Sequence, residues 1–394
     1  GQGCVYTPIE PCEPVLLVPD EYDTIQAAID AAAPGETVVV LPGTYTGTGN
    51  KDLNYNGKAV TVRSKEGPDV TTIDCENSGR AAYFHNGEGA GSVLEGFTIT
   101  RGSTNDGGGV YCDGTSPILR NLIFVDNAAS SYGGALYAHQ NAGPLIQDCV
   151  VKDNTAGNGG GGMFYKLYAN PVIERTSFTG NVSQGKGGGI CAWDSGGVFR
   201  NVIVGNNTGN GMGGAFFHNC NTQWTNCTVS GNSGGGLEAN GKTHVLLNSI
   251  FWANGTEFVF SGGQVTASYS LIQGNYPGEG NQSGDPKFVN PGADNFHLQE
   301  GSPCVDQGTA AGAPTDDIDG DERPQGNGFD IGADESPYAG ACVPKCADKE
   351  CGPDACGGSC GVCPGGLVCK EGQCDDGCIA TGDPEWYGMT GNEW

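Results

Sequence analysis

The sequence is organised by one phrase that ends in Asn and returns at regular spacing. The closing residues of seven such phrases lie 21 to 27 positions apart. They are Asn127, Asn154, Asn181, Asn207, Asn232, Asn254 and Asn275. A repeat of this length cannot bury its hydrophobic face alone, whereas stacked copies share a continuous core. The repeat therefore predicts a solenoid, in which stacked Asn side chains form a ladder of amide hydrogen bonds at one corner.

Two columns of apolar residues follow the same spacing. One column lies three residues before each closing Asn and comprises Phe124, Val151, Phe178, Val204, Val229, Phe251 and Ile272. The other comprises Leu119, Ile146, Ile173, Phe199, Trp224 and Leu246. Both columns predict inward-facing strand residues, so each repeat is expected to hold three short strands and almost no helix.

Runs of Gly open the third strand of each repeat, as in Gly187–Gly189 before Ile190. The apolar position after each run is predicted to point inward; these positions are Val110, Leu136, Met163, Ile190, Phe216 and Leu237. The next position is predicted to point outward and carries aromatic rings at Tyr111, Tyr137, Phe164 and Phe217. Such a column predicts an apolar strip that is covered by other residues or copies, or that stacks on sugar rings. Cover or self-assembly is the favoured interpretation.

The segment before the repeats reads TIQAAIDAAAPGETVVVLPGTY. Together with the stacked repeats, it resembles the right-handed parallel β-helix proteins of the pectate-lyase-like superfamily, of the secreted bacterial type, over roughly residues 20–300. The resemblance implies an all-β fold, namely a right-handed parallel β-helix of about ten coils. A short helix with Asp23 as its cap, which buries Ile25 and Ile29, is predicted to close the N-terminal end.

Changes in composition divide the chain into five parts. These are an N-terminal segment with the capping helix (1–36), the β-helix (37–283), a closing segment with an acidic turn (284–341), a Cys-rich module (342–378) and an aromatic tail (379–394). The module holds nine Cys and too little apolar content for a core, which predicts a disulfide-stapled unit.

Specific contacts are predicted at both ends of the chain. A local bridge is expected between Cys4 and Cys12, which are close enough in the sequence to close a small loop. The module and the rest of the chain each hold an odd number of Cys, so at least one bridge should join them, and Cys304 to Cys342 is the expected pair. The tail carries three large rings, Trp386, Tyr387 and Trp394, which gain little by remaining in water. We expect them to dock on a neighbouring copy of the chain and so to build a filament.

The chain carries 45 Asp and Glu against 18 Lys and Arg, so its formal net charge is −27. This charge disfavours nucleic acid and anionic membrane surfaces as partners. No apolar run is long enough to span a bilayer. The 18 Cys, and Gly1 in place of an initiator Met, fit a secreted chain. We therefore expect an extracellular or cell-surface location.

Asp317, Asp319 and Asp321 place carboxylates at alternate positions of a Gly-containing turn. Hard oxygen ligands of this kind predict a calcium site, although Gly328 stands where an EF-hand loop has its closing Glu. A solvated acidic turn is the alternative.

Two functions fit this sequence. The favoured one is a secreted, non-enzymatic surface protein: a self-assembling fibre or matrix component, or an adhesin, whose partners are copies of itself or an extracellular polysaccharide. The alternative is a polysaccharide lyase or glycoside hydrolase, because the superfamily that the chain resembles includes such enzymes. The Gly-His-Gly and Arg-Ile-Lys phrases of its hydrolases are absent, and Lys166, Lys186 and Arg175 are the basic residues that a lyase could use.

Overall fold

The structure, a computed structural model, describes residues 15–339 together with the strands Val368–Lys370 and Gln373–Asp375. The chain divides into two compact units, Gly1–Gly340 and Ala341–Trp394. In the second unit the two described strands pair antiparallel. The first unit contains the repeats, and its strands stack almost entirely in parallel.

The first unit is a parallel β-helix of about ten coils, as predicted. A 19-stranded sheet runs along it in two columns, separated by a corner in each coil. The first column comprises Val15–Val18, Thr37–Val40, Thr61–Ser64, Val93–Glu95, Ile118–Arg120, Leu145–Gln147, Val172–Thr179, Gly196–Gly205, Asn221–Thr225, Thr243–Leu247 and Gln264–Ser268. The second column comprises Gly43–Tyr45, Thr71–Asp74, Thr98–Thr100, Ile123–Val125, Val150–Lys152, Thr228–Ser230, Ile250–Trp252 and Leu271–Ile272. The two longest strands, Val172–Thr179 and Gly196–Gly205, turn the corner and belong to both columns.

Two smaller sheets complete the coils. An eight-stranded sheet comprises Ala82–Phe84, Val110–Asp113, Leu136–His139, Met163–Lys166, Ile190–Trp193, Ala215–His218, Leu237–Asn240 and Phe258–Phe260. A four-stranded sheet comprises Ser103–Asp106, Ala128–Tyr132, Thr155–Ala156 and Val182–Ser183. The two predicted apolar columns stand in register inside the rod and are fully buried, as at Phe178 and Trp224.

The predicted capping helix is present and spans Ile25–Ala31. Its cap is Thr24, not the predicted Asp23, because the Thr24 side chain accepts the backbone N–H of Ala27. The strand Val15–Val18 pairs in parallel with Thr37–Val40, so the first coil begins before the helix rather than at residue 37.

The Asn ladder forms as predicted from Asn127 to Asn254. In each rung, the backbone N–H and the side-chain Nδ2 of one Asn donate to Oδ1 of the Asn in the next coil, as between Asn154 and Asn181. The ladder does not reach Asn275, which is exposed and was predicted as a rung. Instead, Asn254 donates to both carboxylate oxygens of Glu257, three residues further along the chain.

The closing segment folds back along the flank of the rod. It contains the antiparallel strands Phe288–Asn290 and Asn295–Leu298, joined by the 3₁₀ turn Pro291–Ala293. Its apolar residues form a second core with outward-facing residues of the last coils. This core comprises Ile203, Ile250, Leu271, Phe288, Phe296, Leu298, Cys304, Val305, Ile331 and Ala333.

Candidate functional site

The outward column of the eight-stranded sheet is aromatic, but one predicted member is wrong. Strand pairing aligns Tyr111, Tyr137, Phe164, Cys191, Phe216 and Glu238 in this column. Phe217 points inward and is fully buried, whereas Phe216, which was predicted to point inward, lies in the outward column. The reason is that Met212 replaces the first Gly of the run in this coil, so counting from Gly213 shifts the register by one residue. A slip of one residue exchanges the two faces of a strand.

The middle of the predicted strip is covered by the rod's own side chains. Tyr137 and Phe164 are only 3% and 0% exposed. The ring of Tyr132 lies 4.4 Å from that of Phe164, and the ring of Trp193 lies 5.3 Å from it. Tyr111 is half-buried beyond this cluster. The column is thus a satellite core with accessible edges rather than a flat open strip.

Cationic side chains lie over these rings. The guanidinium of Arg80 is 5.1 Å from the centre of the Tyr111 ring. The ammonium of Lys166 is 5.6 Å from the Tyr132 ring, and that of Lys186 is 4.8 Å from the Phe216 ring. Such cation–π contacts favour a fixed position for each cation.

The three basic residues considered for a lyase do not form one site. Lys186 makes an ion pair of 2.7 Å with Glu238, which is almost completely buried. Arg175 belongs to a different sheet and contacts Asp148 at 2.5 Å and Asp316 of the closing segment at 2.7 Å. Two of the three charges are therefore occupied by carboxylates on separate faces of the rod.

The predicted calcium ligands are not brought together as one set. Oδ1 of Asp317 accepts the backbone N–H groups of Asp319 and Asp321, and its Oδ2 accepts that of Glu335. Asp317 is fully buried, whereas Asp319 and Asp321 are exposed. The Asp317 carboxylate therefore closes the turn from inside, and the calcium site stays a prediction.

Asp319 meets His297, which sequence reasoning missed, and Asp334, a carboxylate downstream of the acidic turn. Nε2 of His297 is 2.6 Å from Oδ2 of Asp319 and 4.0 Å from Oδ1 of Asp334. The hydrogen bond to Asp319 raises the pKa of His297 to about 9, and burial raises the pKa of Asp334 to about 6. These residues are far apart in the sequence, so no local motif could have indicated them.

A buried polar network holds the rest of the closing segment. Arg323 and Glu335 form an ion pair of 2.6 Å, with both side chains fully buried. Burial is also the cause that raises the pKa of Glu335, and it raises that of Asp330 to about 7. Three successive coils near the end of the rod present corner residues to this segment: Asn201 and Asn226 donate to backbone carbonyls, and Asn248 both donates to and accepts from Thr309.

The cysteines between residues 15 and 339 are free thiols in the structure. They are Cys75, Cys112, Cys149, Cys191, Cys220, Cys227 and Cys304, and all are buried. The free thiol at Cys304 differs from the predicted bridge to Cys342; it lies in the second core between the closing segment and the rod. Burial raises the pKa of Cys75 and Cys149 to about 12, which disfavours the reactive thiolate.

Six of the predicted site residues lie outside the described part of the chain. They are Cys4, Cys12, Cys342, Trp386, Tyr387 and Trp394. The bridge from Cys4 to Cys12 and the docking of the tail rings stay predictions.

Comparison with known proteins supports the architecture. The crystal structure of the pectate lyase Pel9A matches the chain with a TM-score of 0.55 at 16% sequence identity, over 79% of this chain and 90% of that one. The two chains share the parallel β-helix fold. At this identity the likeness concerns the fold alone.

A sequence family described as the Chlamydia polymorphic membrane protein repeat matches residues 121–139 and 175–192. Each match contains one Asn of the ladder, Asn127 or Asn181, and the Gly run that follows it. No curated protein matches the chain. Within its described residues, no helix is long and apolar enough to cross a membrane.

Proposed function

We propose that this protein is a secreted or surface-exposed structural protein, in which the β-helix is a rigid rod that associates with other copies to form a fibre or matrix. The observation that carries this proposal is the Asn ladder, because its hydrogen bonds join successive coils into one stiff unit. The matching repeats belong to a family named for a membrane protein of Chlamydia, which supports display at a cell surface.

The distribution of charge also favours a scaffold over an enzyme. Lys186 and Arg175, two of the bases considered for a lyase, are held in ion pairs on different faces. Catalysis of proton abstraction requires a base that reaches the substrate together with a group that stabilises the developing charge. Lys186 and Arg175 do not meet that requirement together, because each is paired with a carboxylate and they belong to different sheets.

Substitution of the tail rings tests the assembly. The full chain with Trp386→Ser, Tyr387→Ser and Trp394→Ser should sediment as a monomer, whereas the unaltered chain should form larger species and filaments by electron microscopy. Tyr168→Ser is the matched control, because Tyr168 is an exposed ring of the rod at 69% exposure. A dispersed monomer for the unaltered chain contradicts self-assembly, and filaments from the triple variant contradict the role of the tail.

Binding of an extracellular polysaccharide is a second candidate function. It is favoured by the accessible edges of the aromatic column at Tyr111 and Phe216, and by Arg80, whose guanidinium lies over the Tyr111 ring. Rings flanked by cations suit acidic sugars, which stack on the ring and pair with the charge. Tyr111→Ala with Phe216→Ala should abolish binding of an acidic glycan on an array. Undiminished binding by this double variant would reject the aromatic column as the site, and release of unsaturated sugars by the unaltered chain would instead support a lyase.

A further inference from the structure

Three stretches of the closing segment place potential metal ligands at one point. His297 comes from the strand Asn295–Leu298 and Asp319 from the acidic turn. Asp334 directly follows Ala333, the last residue of the second core. One ligand atom from each residue lies within 4.8 Å of the other two. Among the described residues, this is the one group of three or more His, Cys, Asp or Glu side chains with ligand atoms this close together.

A second contact holds each of these three residues in place. The amide oxygen of Asn295 accepts the backbone N–H of His297 at 3.2 Å and lies 2.7 Å from Nδ1 of its ring. An amide oxygen can only accept, so Nδ1 carries a proton toward it and Nε2 is the ring atom that faces the two carboxylates. This is the arrangement in which a ligating His donates its other ring N–H to a neighbouring oxygen.

The carboxylates are oriented in a similar way. Oδ2 of Asp334 accepts the backbone N–H of Leu298 at 2.7 Å, which leaves Oδ1 toward His297. Asp319 is held through its backbone N–H by the buried Asp317 carboxylate. Metal–ligand bonds of about 2.0–2.2 Å place the donors of one site about 3–3.5 Å apart. The exposed side chains of His297 and Asp319 can close the remaining distance by small rotations.

We propose that His297, Asp319 and Asp334 bind one divalent transition-metal ion, with Zn²⁺ as the representative. An imidazole nitrogen with two carboxylates suits the first-row metals, whereas calcium takes six to eight oxygen ligands. About half of the His297 and Asp319 side chains is accessible, which leaves room for water to complete the coordination. The ion joins the hairpin to two distant turns and so fastens the closing segment. This inference is independent of the proposed function.

Titration calorimetry on the full chain tests the site, with Zn²⁺ and Ca²⁺ as probes. We expect one tight Zn²⁺ per chain and at least tenfold weaker Ca²⁺ binding at the same position. His297→Ala and Asp319→Asn should each remove the tight site, and Asn295→Ala should weaken it by about 10–100-fold because the ring loses its orienting partner. His139→Ala is the matched control, since His139 contacts one carboxylate, Asp113, at 2.9 Å without a third ligand.

Melting in a chelator shows whether the variants fold. Asp319→Asn removes only an exposed ion pair with His297, which contributes little to stability, so its melting temperature in chelator should lie within a few degrees of that of the unaltered chain. Addition of Zn²⁺ should raise the melting temperature of the unaltered chain and of His139→Ala, but not that of Asp319→Asn. Absence of a stoichiometric Zn²⁺ site in the unaltered chain overturns the proposal. Unchanged Zn²⁺ affinity in folded Asp319→Asn also overturns it, because the bound Zn²⁺ would then be attracted by the general negative charge.

Discussion

Replacement of Asn181 by Ala should destabilise the rod strongly, because this residue lies in the middle of the ladder. Its Oδ1 accepts the backbone N–H and the Nδ2 group of Asn154, both at 3.0 Å. Its Nδ2 donates to the carbonyl oxygen of Val151 at 2.8 Å and to Oδ1 of Asn207 at 3.0 Å. Asn181→Ala removes all four hydrogen bonds. It leaves the backbone N–H of Asn154 and the carbonyl of Val151 buried without these partners.

The expected loss follows from those two backbone groups. A buried polar group that loses its partner costs about 1–3 kcal/mol, so the two together cost about 2–6 kcal/mol of unfolding free energy. A central value of about 4 kcal/mol is a large part of the 5–15 kcal/mol that is typical of a folded domain. The effect should be local in origin but should weaken the contact between two successive coils.

Urea unfolding followed by Trp fluorescence measures this loss. Asn275→Gly is the matched control: Asn275 was predicted as a rung, but it is exposed, and its φ of 61° is a backbone conformation that Gly adopts freely. The control should change the unfolding free energy by less than about 1 kcal/mol. If Asn181→Ala lost no more than Asn275→Gly, the ladder would not stabilise the stack of coils, and the reasoning above would be refuted.

Three further predictions concern single side chains. Burial lowers the pKa of His244 to about 4, so the unfolded chain binds its proton at higher pH than the folded chain does. The contribution of His244 to the unfolding free energy should therefore fall by up to about 3 kcal/mol as the pH drops from 6.5 through 4. In urea unfolding across this pH range, His244→Gln should lack this contribution relative to the unaltered chain, whereas the exposed His218→Gln should retain it. Arg323→Met leaves the buried Glu335 carboxylate without its ion-pair partner and should lower the unfolding free energy by about 3–5 kcal/mol. Arg200→Met, which breaks the exposed pair with Glu174, should lower it by less than about 1 kcal/mol. Thermal unfolding measures both losses. A double variant Arg323→Met and Glu335→Met that is no more stable than Arg323→Met alone contradicts the role of the pair. Phe217→Ala should lower the unfolding free energy by about 3–5 kcal/mol, because its ring is fully buried. Phe216→Ala should lower it clearly less, and the reverse order would contradict the register of this strand.

The fold could be predicted because its determinants repeat along the sequence. Phe178 and Trp224 recur in columns whose spacing is the length of a coil, and a periodic pattern survives the loss of a single member. The register at Phe217 could not be predicted by counting glycines, because Met212 takes the place of the first Gly of the run in this coil. The end of the ladder was missed for a similar reason: a carboxylate, Glu257, replaces the amide that the pattern required.

The candidate metal site could not be predicted because it depends on distant residues. His297 meets Asp319 and Asp334 only after the closing segment has folded back on itself. The alternating carboxylates of the acidic turn were conspicuous in the sequence, but the buried Asp317 uses both of its oxygens to bind backbone N–H groups. Local spacing indicated the turn correctly and could not reveal which of its carboxylates remain available.

The ladder gives the rod a net dipole along its axis. Every rung from Asn127 onward donates its N–H groups toward the following coil, so the amide dipoles point the same way and their positive end lies at Asn254. Glu257 places its carboxylate at that end and accepts two of the terminal donors, much as an anion does at the start of an α-helix. An inserted coil with its own Asn would accept and donate as many hydrogen bonds as its neighbours do. Duplication of coils can therefore lengthen such a rod without any change at its terminus, provided that the acidic terminator is retained.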